Sequence, residues 1–210
     1  MVFTQSREAG SSDGFRDLLE ENYQKRSLVQ LGAGSTVPLL KQHIWLVVRG
    51  MVKLGAITIH GDELLLGLAG PNEPFGDPLA NVETYEARTL ADSDLLCLSC
   101  ADIHRDPRLT AALLEAVSLR IRQGQALLAL MGLRRVEERV RGFLELLANE
   151  YGQPCEHGLR LNPRLTHHEM AAALGTTRVT VTRVIGVLKE QGFLKIDNQR
   201  RLIITHLPRR

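Results

Sequence analysis

Four side chains near the C-terminus have the types and spacing to do chemistry: Arg178, Val179, Thr182 and Arg183. On a helix they share one outward face, because Val181, Val184, Ile185 and Leu188 recur at helical spacing as a stripe suited to burial. Two arginines around a small apolar residue and a hydroxyl suit a helix laid in the major groove of duplex DNA. Arginine presents a fork of donors to a guanine edge, and an aliphatic group can meet the thymine methyl. Thr166, Thr177 and Thr180 place hydroxyls near helix starts, where they are expected to anchor phosphates.

Such a face is useful only if the chain holds it rigidly. Thr166 and Glu169 have the spacing of a capping box, so a helix should begin at His167. Met170, Ala173 and Leu174 fall on one side of it. Gly175 can take the positive φ at which a helix stops and the chain swings sharply. Thr176 or Thr177 can cap the second helix, and Gly192 closes it. This is the pattern of a helix-turn-helix, although helix–Gly–helix pairs are common in all-α domains. Two further features favour DNA. In KIDNQRRLIITH, β-prone runs flank Asp197-Asn198-Gln199, which predicts a hairpin of the kind called a wing. Charge is also segregated. Residues 152–210 hold ten Lys and Arg against four Asp and Glu, a net of +6, whereas the chain as a whole is +2 and residues 1–151 are therefore −4. A basic module follows an acidic one.

The preceding chain reads as a support for that module. At 210 residues, with 44% hydrophobic and 24% charged positions, it is long enough for one or two domains with cores of their own. No run has the length of a membrane helix and no secretory leader is legible, so a cytoplasmic protein with reduced cysteines is expected. Residues 1–13 read as a tail, followed by a short helix from Phe15 to about Gln24. From Ser27 to Ser99 the texture is β, with HIWLVVRG, MVKLGAITIH, ELLLGLAG and DLLCLS as the clearest strands and Gly61-Asp62 as a turn. Many short strands with regular glycines predict a double-sheeted roll or barrel. Ala101 to Arg108 should form a helical connector. From Leu109 a long helix follows, in which Leu114, Val117, Ile121, Gly124, Leu128 and Met131 keep a heptad. That seam predicts a dimer interface. The alternative is a helix packed only on its own roll, through Leu113, Leu127 and Leu130. Gly132 marks a hinge, and RRVEERVRGFLELLANEYG restarts a helix. Tyr151 to Pro163, with its glycines and prolines, leads into the helix-turn-helix. The expected fold is α+β, in three parts: residues 1–108 as tail, short helix and roll, 109–133 as dimerisation helix, and 134–210 as the winged helix-turn-helix.

Other chemistry finds little support. His168-Glu169 begins like a zinc-protease helix, but Ala172 stands where the second histidine is required. Cys97 and Cys100 have CxxC spacing without a second pair, and Cys97 lies among leucines of a strand. His43 and His60 are solitary. Gly32-Ala33-Gly34 is followed by no Lys-Ser/Thr, and no Ser–His–Asp set can be argued. No catalytic residue, metal or cofactor is expected, and an enzyme is the weakest reading.

TTRVTVTR in this setting, after an apolar helix and a β-rich region, resembles the CRP/FNR family of bacterial transcription regulators, and within it the cyanobacterial nitrogen-control (NtcA-like) branch. The resemblance runs from about Leu28 to the end. It implies a double-stranded β-roll of the cyclic-nucleotide-binding type, with Arg49-Gly50 and Phe75-Gly76 where the family places such pairs. It also implies a homodimer on a palindrome with GTA…TAC-like half-sites, which Val179 supports because the cAMP receptor branch carries a glutamate there. Duplex DNA and a second copy are the implied partners, and RNA polymerase and a small effector are further candidates. Iron–sulfur members use an N-terminal cysteine cluster, which residues 1–30 lack. The implied effector pocket involves Phe75, Gly76, Asp77, Arg120 and Gln125. In cAMP-binding relatives a Phe-Gly-Glu segment precedes an Arg-Ser pair. Here Asp77-Pro78 follows Phe75-Gly76, and Tyr85-Glu86 stands where Arg-Ser should be, so a carboxylate would repel the cyclic phosphate. In the nitrogen-control branch 2-oxoglutarate is held by a strand arginine, a helix arginine and a glutamate. Arg120 matches the helix arginine, Gln125 stands at the glutamate, and Arg88 lies several residues from the strand position. Two other readings stay open: a roll that is only a scaffold or protein-docking surface, and a ligand-binding module without DNA binding.

Overall fold

The computed structural model describes residues 27–205. The tail and the helix expected at Phe15–Gln24 lie outside the described residues. The described chain divides into two compact units, the first ending at Gly124 and the second starting at Gln125.

The first unit is built on seven strands: β1 (Val29–Leu31), β2 (His43–Arg49), β3 (Val52–Ile57), β4 (Glu63–Ala69), β5 (Pro74–Phe75), β6 (Glu86–Thr89) and β7 (Ser93–Ser99). They form two antiparallel sheets, in the orders β1-β7-β2-β5 and β4-β3-β6. The central strands β2 and β7 are covered on both faces, which explains why they read as near-continuous apolar runs. Trp45, Val47 and Leu95 point into the roll with Val52, Leu54, Phe75 and Ala87. Ile44, Leu46, Leu96 and Leu98 point the other way and pack against Ile103, Leu109, Leu113 and Ala116 of the following helices. Side chains alternate between faces along a strand, so one sheet serves two cores. Gly50 (φ 95°) makes the β2–β3 turn, where an added Cβ would stand 2.2 Å from Ser93 Oγ.

Helix α1 (Cys100–Arg105) ends at Asp106, and α2 runs from Pro107 to Met131. The sequence reading extended the connector to Arg108 and started the long helix at Leu109. The break comes earlier because Asp106 precedes proline and is held extended. Its carboxylate then accepts from the Arg108 and Leu109 backbone N–H groups, at 2.9 and 3.2 Å, and caps α2. Leu113 contributes to the roll-side core as expected, whereas Leu130 is buried in the second unit.

In the second unit α3 spans Val136–Tyr151, starting two residues later than RRVEERV suggested because Arg135 is extended at the N-cap. Tyr151–Pro163, the stretch that leads into the helix-turn-helix, holds two strands. Gly152–Cys155 (β8) and Gly158–Leu161 (β9) form a hairpin, and β9 also pairs with the wing. The resulting sheet has the order β10-β11-β9-β8, with β10 at Leu194–Ile196 and β11 at Leu202–Ile204. The wing turn is fixed by Asp197 Oδ1, which accepts from Gln199 and Arg201 N–H at 2.9 and 2.8 Å. Between the hairpins lie α4 (His167–Leu174) and α5 (Arg178–Glu190), which pack on each other and on α3. Among the described residues no single helix is long and apolar enough to cross a membrane.

Candidate nucleic-acid interface

The geometry of α4 and α5 follows from their caps. Thr166 Oγ1 accepts from Glu169 N–H at 3.1 Å, and the Glu169 carboxylate accepts from Thr166 N–H at 2.8 Å, closing the capping box in both directions. Gly175 sits at φ 56°, ψ 49°, the left-handed conformation that ends α4, and the chain bends by 104° between the helices. Arg139 Nη1 donates to the Leu174 carbonyl at 3.0 Å, satisfying one of the acceptors that the helix end leaves open. Thr177 caps α5 by accepting from Thr180 N–H at 3.1 Å.

With Val181, Val184, Ile185 and Leu188 buried, α5 presents Arg178, Val179, Thr182 and Arg183 outward; Val179 is 78% exposed. Among the described residues no hydrogen bond or ion pair engages the Arg178 or Arg183 guanidinium. The threonine hydroxyls are less free than the two guanidinium groups. Thr166 Oγ1 donates to the Glu169 carboxylate at 3.0 Å, so its proton is not available to a phosphate while the capping box is closed. Thr177 and Thr180 share one hydrogen bond, Oγ1 to Oγ1 at 2.9 Å, which leaves one proton between them for a phosphate. Sequence reasoning passed over His167, whose Nδ1 lies 2.8 Å from Thr182 Oγ1. It also passed over Arg164, which reaches the wing turn at the Gln199 carbonyl (3.4 Å). Neither contact has a local sequence signal, since each bridges 15 residues or more.

The residues expected to line an effector pocket are not drawn together in the same way. Phe75 belongs to the interior core of the roll, and Asp77 is exposed on a single 3-10 turn. Gln125 is exposed and belongs to the second unit. Arg120 is turned inward. Its Nη1 donates to the Leu68 carbonyl and, at 2.7 Å, to Gln123 Oε1, which also accepts from Leu68 N–H at 3.0 Å. Gly67 makes room for this arrangement, because a Cβ there would stand 2.8 Å from Gln123 Oε1 and 2.9 Å from Arg120 Nη2. Gln123, not Gln125, is therefore the side chain that meets Arg120. Burial pushes the Tyr85 phenol above its usual range, while the nearby Arg120 charge and a hydrogen bond with the Gly76 backbone pull it back.

On α2 the heptad positions Leu114, Ile121 and Leu128 are 69%, 57% and 73% exposed, Met131 is exposed as well, and Val117 and Gly124 are partly covered. Cys97 packs toward the roll interior and Cys100 toward the helices, so the CxxC pair is split between the two faces of the sheet. Among the described residues no cluster of three or more His, Cys, Asp or Glu could hold a metal.

Residues 138–209 match the Crp-like helix-turn-helix domain. The regulatory protein CysR of Synechococcus elongatus is 30% identical over 181 residues, covering 85% of this chain and 83% of that protein. The global nitrogen regulator of Nostoc sp. is 28% identical over 176 residues, covering 80% and 78%. The crystal structure of a CRP/FNR-family transcriptional regulator from Thermus thermophilus superposes with a TM-score of 0.69 at 26% identity, covering 86% and 94%. With a sensor-type β-roll, a long helix and a winged helix-turn-helix in this order, and relatives matched over most of their length, the chain belongs to the CRP/FNR family of DNA-binding transcription regulators.

Proposed function

We propose that the protein acts as a homodimer on a palindromic operator, with α5 of each protomer in a major groove. Arg178 and Arg183 read base edges, Val179 meets a thymine methyl, and the Thr177–Thr180 pair fixes the phosphate backbone. Residues 109–133 form the dimerisation segment and 134–210 the DNA-binding domain. The observation that carries this reading is the cationic face of α5, whose two guanidinium groups have no partner among the described residues, in a helix pair capped at both N-termini by threonine side chains. Selection of bound sites from random duplex DNA tests it: two inverted half-sites about one helical turn apart are expected. A single half-site, or no enrichment, would count against it.

For the roll, the inward hydrogen bonds of Arg120 favour a scaffold that needs no small anion. The one cation expected in the pocket already has acceptors, and Glu86 stands where a phosphate-binding group would be required. Calorimetry with cAMP and with 2-oxoglutarate separates the readings. Silence from both supports the scaffold; 2-oxoglutarate binding that disappears in Arg120→Ala supports a sensor. RNA polymerase is the further partner that an activating role would require.

A further inference from the structure

The hydroxyl of Thr182 is fully accounted for inside the protein. Its Oγ1 donates to the Arg178 carbonyl one turn earlier, at 2.9 Å, and stands 2.8 Å from Nδ1 of His167 on α4. A threonine hydroxyl has one proton. If Arg178 receives it, His167 carries hydrogen on Nδ1 and donates it to Thr182. If His167 receives it, the ring is the other tautomer. In both cases no proton remains for an acceptor on a base edge. From its exposed position Thr182 then offers a lone pair and, above all, a methyl group. Val179, three residues earlier, lies on the same face and is apolar too. Two methyl-bearing side chains therefore form one apolar step between the two arginines.

We propose that His167 is a positioning residue that commits Thr182 to apolar readout, so that the Thr182 methyl reads a thymine C5-methyl beside the one met by Val179. The inference rests on α5 being the base-reading helix. The major groove offers the thymine methyl as an apolar feature, and a threonine methyl is among the groups that can meet it. Holding the rotamer before DNA arrives also removes an ordering penalty from binding.

The test uses the full-length protein and its selected operator, with each thymine of a half-site replaced in turn by deoxyuridine, which removes only the methyl. The quantity read is the ratio of affinities for the thymine and uracil duplexes at constant salt. This ratio is internal to each variant and cancels any change in its folded fraction. Wild type should prefer thymine about fourfold at the position Thr182 reads, roughly the worth of one buried methyl group. Thr182→Val, which discards the hydroxyl but keeps a methyl in the one rotamer that a valine prefers in a helix, should retain that ratio. Thr182→Ser should bring it close to unity at that position alone. His167→Ala should lower it, and His167→Gln, whose amide can still meet the hydroxyl, should restore part of it. Loss of the ratio in Thr182→Val with retention in Thr182→Ser would show the hydroxyl reading the base and overturn the inference. Equal ratios in all variants would do the same. Arg178→Ala is the control on the underlying reading. If it leaves the preference for operator over random DNA unchanged, α5 does not read bases and both ideas fall. If it lowers that preference while Thr182→Ser keeps the thymine ratio, only the role of Thr182 and His167 falls.

Discussion

Helices α2 and α5 each carry arginines and an apolar stripe, but α5 buries its stripe whereas α2 leaves much of its heptad open. On α5 the stripe Val181, Val184, Ile185 and Leu188 is buried and the arginines are open. On α2 Arg120 is bonded to the Leu68 carbonyl and Gln123, while Leu114, Ile121 and Leu128 are left to solvent. What a helix leaves uncovered indicates what it is for. An open row of cations calls for a polyanion, and an open heptad of leucine and isoleucine calls for another apolar helix. The helix propensities of the two segments say nothing of this difference, which comes from what each packs against.

The largest effect should follow from putting charge into the open apolar row. Leu128→Glu or Ile121→Arg would place like charges against their own copies across the seam. An uncompensated buried charge destabilises by about 3–5 kcal/mol, enough to dissociate a dimer at micromolar concentration. Sedimentation should show a monomer, and operator affinity should fall with it because the two half-sites are no longer bound together. If either variant remains a dimer, α2 does not pair through this heptad.

Removing charge from the open cationic row should have a smaller, more selective effect. Arg178→Ala is expected to lower operator affinity by about 1–3 kcal/mol and to relax the choice at one base pair per half-site. Binding to random DNA should change much less. An equal drop on both would make Arg178 a phosphate contact and remove the readout role.

The closed arginine offers the converse test. A methyl group at position 67 would stand 2.8–3.1 Å from Gln123 Oε1 and both terminal nitrogens of Arg120. Gly67→Ala should therefore push the guanidinium off β4 and destabilise the roll by about 1–2 kcal/mol, within the range of overpacked interiors. Chemical denaturation measures this directly. DNA affinity of the folded fraction should not change if the Arg120 cluster is only architectural, and a change beyond the stability loss would mark it as part of a switch.

The sequence was legible where the physics is local. The capping box, Gly175 and the stripe of α5 each depend on residues within four positions of one another, and the structure has them as the sequence reads. The β8–β9 hairpin was not legible. GQPC and GLRL lack β-branched residues, Pro154 is unfavourable to a strand, and the hairpin exists because β9 pairs with β11 more than forty residues on. Gly158 permits that approach, since its Cβ would meet the Ile204 carbonyl at 2.0 Å. The Arg120 partner is an intermediate case. Gln123 is three residues on, and i, i+3 positions share a helix face. That spacing alone could have pointed to Gln123, whereas the family likeness directed attention to Gln125.

The smallest effect separates building the cationic face from using it. Thr166 reads in the sequence as a phosphate anchor, yet its hydroxyl both accepts from Glu169 N–H and donates to the Glu169 carboxylate. Its first task is to start α4. Thr166→Ala should then destabilise the protein by about 1 kcal/mol, the usual worth of such a cap. Thr166→Ser, which keeps the hydroxyl, should restore most of it. Because α4 only supports α5, any affinity lost in the alanine variant should be the same for operator and random DNA and should follow the loss in melting temperature. A loss of affinity in Thr166→Ala without a change in melting would instead return the residue to the phosphate backbone. The capping box would then have to open when DNA binds, since one proton cannot serve Glu169 and a phosphate at once.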